Sequence, residues 1–205
     1  MRFPFLASFI VFIVWLTYKI SKSRRASEKI EKSYWERERA ANNTRRKSLD
    51  GLAYIHIPLE KLPMAVCSTH SGIAECQNTI RTLSTQTIVN FTGYSNTDLK
   101  LMYGAPNITL LTEYDQNYTL LARTLQKWGE LLYEQGFVQE AKTVLEFAIS
   151  TETDVSSTYK LLASIYQDLG ESKKTASLME TAQKLRSLSK NTIVRILQES
   201  DPSND

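Results

Sequence analysis

From Ala122 to Ser189 apolar residues recur every three and four positions, in two tracts that echo each other at an offset of 34 residues. Leu125, Trp128, Leu132 and Leu145 are the large apolar set of the first tract, and Tyr159, Leu162, Tyr166 and Met179 that of the second. That spacing predicts amphipathic helices. Gly136 and Gly170 follow runs of good helix formers, where a residue in the left-handed region can end a helix. A stretch after Lys190 with Ile193, Ile196 and Leu197 predicts one further, closing helix. Two such units are too few to bury their own faces, since a solenoid needs about three. Ile108, Leu110, Leu111, Tyr114 and Tyr118 are expected to cover the N-terminal side.

Upstream the pattern changes. Ala53, Ile55, Ile57 and Leu59 alternate with Tyr54, His56 and Pro58, the period of a strand. Pro58 lacks a ladder donor and confines that strand to an edge. Ile73, Cys76, Ile80 and Leu83 return to helical spacing, and Thr87 to Phe91 is β-branched and apolar, as in a short strand. Asn96 or Thr97 is positioned to cap a short helix through Leu99, Leu101 and Met102. This middle segment, 49–110, reads as a small mixed α/β or helical piece capping the helical tracts.

From Phe3 to Tyr18 the chain carries no charge and is nearly all Phe, Ile, Val, Leu and Trp. That length is just under the roughly 17–25 residues that span a bilayer. Lys19 can snorkel, and Trp15 and Tyr18 suit an interfacial belt. No small-residue cleavage site follows, which favours an uncleaved anchor over a signal peptide. A transmembrane helix is therefore expected at 3–20, followed by a basic juxtamembrane stalk at 21–48. Eleven Lys/Arg and four Glu fall within 19–47, a net +7, although the whole chain is only +3. With Arg2 counted, residues 48–205 carry −5. The cation bias places the N-terminus outside and the remainder in the cytoplasm, and allows the stalk to contact anionic lipid. The acidic remainder has the wrong sign for nucleic acid. Ala41 to Lys47 is expected to be a flexible joint.

The two tracts resemble tetratricopeptide (TPR) repeats. Counting from Ala122 and from Ser156, the family's small positions fall on Gly129, Ala141 and Ala148, then on Ala163, Thr175 and Ala182. Thr175 departs from that pattern, with Ala176 beside it. The resemblance implies a mainly α fold, with TPR-like antiparallel helix pairs forming a short superhelix over 111–200. It also implies a peptide-binding groove lined by Arg123, Gln126, Glu130 and Tyr133, then Ser157, Lys160, Ser164 and Gln167. The family's carboxylate clamp is not matched, because Gln126 and Glu130 stand at two of its positions. Anchor and tracts together are similar to membrane-anchored TPR-type proteins of bacteria.

Catalytic signatures are missing: the sequence has no P-loop, G-x-G-x-x-G, H-E-x-x-H or G-x-S-x-G motif. The expected function is thus a membrane-anchored scaffold for a protein or peptide partner, not an enzyme, with no cofactor. The alternatives are a self-assembling structural membrane protein, an extracytoplasmic receptor of inverted topology, and a metal-binding protein. His56, Cys67, His70 and Cys76 supply zinc-ligand chemistry for the last, at a spacing that fits no common zinc module. Four N-x-T sequons occur, at Asn42, Asn90, Asn107 and Asn117.

Overall fold

A computed structural model describes residues 4–199, and the side chains of all of these except 4–7, 26 and 172. Among the described residues there are eight α-helices and one 3-10 turn, and no strand. The helices are α1 (Pro4–Asn42), α2 (Ser71–Leu83), α3 (Asn96–Tyr103), α4 (Ile108–Glu134), α5 (Val138–Ser150), α6 (Ser156–Asp168), α7 (Ser172–Lys184) and α8 (Lys190–Glu199). The chain folds as two compact units. One joins the residues up to Lys47 with Asn96–Ile108, and the other joins Ser48–Ser95 with the residues from Thr109 onward.

In the first unit, the anchor and stalk expected as separate pieces are one helix. α1 runs 39 residues without a break, about 58 Å at 1.5 Å per residue. No Gly or Pro interrupts it after Pro4, so nothing in the sequence ends it at Ile20. Among the described residues, no helix is long and apolar enough to cross a membrane. The span expected at 3–20 starts at Phe3, outside the described residues. Its described side chains, Ser8 to Tyr18, cover about 16 Å, against a hydrocarbon core of about 30 Å. The charges from Lys19 onward then end the apolar run.

Nor is the segment after α1 a loose joint. Ala41 is fully buried. Lys100 of α3 donates to Glu38 at 2.6 Å and to Asn42 at 2.8 Å, and Thr97 donates to Glu38 at 2.6 Å. The Lys100 and Thr97 bonds hold the Glu38 carboxyl below its ordinary pKa. Beyond α1, Lys47 N donates to Tyr103 O at 3.1 Å and Ala105 N to Thr44 O at 3.1 Å. Gly104 has φ +94, and a Cβ there would lie 2.2 Å from Arg45 O, so only glycine lets the two segments meet. Charge patterning alone could not show this, because the partners of the stalk lie more than fifty residues downstream.

The second unit holds one hydrophobic core that runs from the middle segment through α8. α2 buries Ile73, Cys76, Ile80 and Leu83, all four residues of its predicted stripe. Buried Gln77 donates to Pro63 O and Val66 O, tying the irregular 58–70 loop to α2. The two expected strands reduce to one antiparallel bridge, Tyr54 with Val89. Pairing stops there because the chain turns at Pro58: Leu59 N donates to Ile57 O and Lys61 N to Pro58 O. Opposite, the Asn90 side chain bonds Thr151 O and Glu152 O, away from any ladder.

The first tract does not begin a new helix at Ala122. α4 starts at Ile108 and runs 27 residues, since the intervening sequence contains neither Gly nor Pro. Gly136 and Gly170 end α4 and α6 with φ of +82 and +69. At each, the next residue's N–H reaches five residues back, Phe137 to Leu132 O and Glu171 to Tyr166 O. These are Schellman turns. α5 and α7, each of 13 residues, start one 34-residue period apart. Ala141, Ala148, Ala163 and Ala182 are fully buried. Thr175 is half-buried and Ala176 exposed, so Thr175 keeps the inward position in α7.

Gly129 sets how closely α4 and α5 approach. A Cβ at Gly129 would lie 2.6 Å from Leu145 Cδ2 and 2.7 Å from its Cγ. Leu145 is fully buried and cannot swing aside without displacing the core. Alanine at Gly129 gains up to about 1 kcal/mol of helix propensity, but overpacking costs about 1–3 kcal/mol. Gly129→Ala is expected to be destabilising overall, seen as a lower urea midpoint at unchanged slope.

Candidate interaction face

The face expected to bind a partner lies on the C-terminal half of α4 and on α6. Two side-chain bonds set these helices side by side. Thr158 Oγ1 donates to Gln126 Oε1 at 2.7 Å, and Tyr133 OH donates to Asp168 at 3.4 Å. Both pairs advance in the same chain direction, so the two helices run parallel. The geometry divides the eight named residues. Arg123, Glu130, Ser157, Lys160 and Gln167 are exposed, and Gln126, Tyr133 and Ser164 are half-buried. Gln126 is committed to Thr158, whose side chain is buried, and the Tyr133 ring packs against the core. These two hold the helices together, while Arg123 and Lys160 stay open to solvent.

A charged cluster that sequence reasoning did not single out joins α5, α6 and α7. Lys142 Nζ lies 2.9 Å from Glu171, and Lys174 Nζ lies 2.9 Å from Glu146 and 3.0 Å from Glu171. Tyr166 OH donates to Glu146 Oε1 at 2.9 Å, and the Lys174 ammonium sits 5.4 Å over the Tyr166 ring. Burial, with the Glu146 bond, pushes the Tyr166 hydroxyl up. The Lys142 and Lys174 bonds hold the Glu171 carboxyl below its ordinary value. The i, i+3 spacing of Glu171 and Lys174 was a local signal, but Glu146 and Lys142 come from another helix.

Two further buried phenols pin the turn between α5 and α6. Tyr118 OH donates to Thr151 O at 3.2 Å and Tyr159 OH to Thr153 O at 2.9 Å. Burial raises both hydroxyls well above the usual tyrosine range. They act as donors that satisfy carbonyls of a turn whose Glu152 has φ +59.

The four residues with zinc chemistry are dispersed in role. His56 is exposed. His70 caps α2, its Nδ1 accepting from Ile73 N at 3.4 Å. Cys67 is half-buried at φ +53, and Cys76 is buried in the α2 stripe, where burial raises its thiol. Among the described residues, no group of three or more His, Cys, Asp or Glu is gathered to hold a metal. The sequon asparagines serve the fold. Asn107 Nδ2 donates to Lys47 O and Tyr103 O, and Asn90 Nδ2 to Thr151 O and Glu152 O. Each uses both amide hydrogens, one of which a glycan would replace. Asn117 Nδ2 donates to Thr87 O, and Asn42 accepts from Lys100.

No protein-family model, curated protein or solved structure matches the chain.

The lowered Glu171 pKa gives a signed expectation. A carboxyl depressed by folding contributes stability above its unfolded value, ordinarily about 4.5, and loses it as pH falls through the folded value. Thermal stability should therefore fall with acid below about pH 4.5. Glu171→Gln should flatten that limb and lower stability at pH 7, as read from Tm against pH.

Proposed function

We propose that this chain is a membrane-anchored scaffold that presents a TPR-like helical module to a protein or peptide partner. The observation that carries this reading is the start of α1. Phe9, Ile10, Val11, Phe12, Val14, Trp15, Tyr18 and Ile20 are each more than half exposed, on all sides of the helix. A helix that is apolar all round requires a nonpolar environment, and a continuous patch of this kind marks an interaction surface. A bilayer fits because Lys19 and the cations behind it follow at once, with Lys19 Nζ 5.7 Å over the Trp15 ring. The same cations favour a cytoplasmic C-terminal side and an external N-terminus.

The binding module is read from the repeat echo, the left-handed glycine stops and the parallel pairing of α4 with α6. Arg123 and Lys160 supply cations, and Glu130, Ser157, Ser164 and Gln167 polar groups, for an extended peptide of mixed polarity. The role is binding, with no catalysis of its own. Cross-linking from membranes followed by capture tests the face. Arg123→Glu with Lys160→Glu, or Glu130→Lys with Lys160→Glu, all at exposed positions, should each lose the wild-type partner at unchanged helicity. Undiminished capture by both pairs moves the site elsewhere.

A further inference from the structure

Cations in the polar part of α1 are not spread evenly around the helix. Lys22, Arg25, Lys29 and Lys32 stand at successive intervals of three, four and three residues, which aligns them along one face. All four are exposed. Among the described residues none of them pairs with a carboxylate, whereas Arg24, off this face, lies 3.6 Å from Glu28. Ser27, Ile30, Glu31 and Tyr34 occupy the opposite side.

We propose that this stripe rests on an anionic phospholipid surface and tips α1 toward the headgroups. The proposal builds on the membrane reading above and adds a lipid class and an orientation. Setting topology requires cations in number but not on one face. An upright helix would carry Lys32 roughly 20 Å past Tyr18, beyond the Debye length of about 8 Å. Tipped, all four cations reach the headgroup layer. The stripe begins at Lys22, four residues past Tyr18, so the nearest polyanion to an anchored chain is the lipid surface itself. An acidic protein is the competing polyanion, and it would leave purified protein on vesicles without any lipid dependence.

The test is lysine acylation of the full chain on vesicles, read residue by residue by mass spectrometry. Phosphatidylcholine vesicles are compared with vesicles containing 30% phosphatidylserine (~30%, enough for a strongly negative surface), at low and high salt. Ser27→Lys supplies a reporter on the far face at the same distance along the helix. Lys22, Lys29 and Lys32 are expected to react about fivefold more slowly on the anionic vesicles and to recover in high salt. The Ser27→Lys reporter should react equally on both. Equal rates for the stripe lysines on both vesicles, or equal protection of the reporter, overturns the proposal. Flotation separates the two readings. A chain that floats only with anionic vesicles and shows the one-sided pattern keeps the stripe and loses the anchor. A chain that floats with neutral vesicles but shows no pattern does the reverse. A chain that floats with neither loses both.

Discussion

Leu145 fills the space that a side chain on Gly129 would need, and α4 and α5 can meet only because that side chain is missing. Trp128, Leu125 and Leu132 flank this crossing on α4, and all are fully buried. The second helix pair is organised by alanines: Ala163 on α6 and Ala182 on α7 are buried without exposure. Small buried residues and large ones beside them share one core across these short helices. The glycine stops then fix where α4 and α6 end, and α5 and α7 follow 34 residues apart.

In the first unit the controlling contact is polar. Glu38, Asn42, Thr97 and Lys100 bind α1 to α3, with the Lys100 and Glu38 side chains each less than one-fifth exposed. Such a partly buried, hydrogen-bonded pair is worth more than an open surface pair. It converts the end of a helix that looked like a solvated stalk into part of a folded unit. Among the described residues, Phe9 to Val14, Trp15, Tyr18 and Ile20 of the same helix stay exposed, and that contrast within one helix is what supports the proposed anchor.

Local signals were readable and long-range ones were not. The helical stripe Ile73–Cys76–Ile80–Leu83 and the turns at Gly136 and Gly170 follow from spacing and backbone chemistry within a few residues. The supposed strands failed because a period of two over four positions cannot say whether a partner strand exists, and Pro58 turns the chain before one can form. The +7 of net charge over 19–47 describes composition, whereas Lys100 and Thr97 meet Glu38 only through folding. On the candidate face, the positions of Gln126 and Tyr133 follow from the repeat pattern. Their bonds to Thr158 and Asp168 depend on how α6 is seated beside α4.

The central proposal is that the apolar start of α1 holds this chain in a membrane while the residues from Lys19 onward remain outside the bilayer. Alkaline carbonate extraction of membranes from cells expressing the chain tests it most directly, because carbonate strips proteins held by charge and leaves those held by buried apolar segments. The account predicts that the full chain stays with the membrane pellet and that a chain beginning at Lys19 is released in folded form. Release of the full chain, or retention of the shortened one, would contradict it.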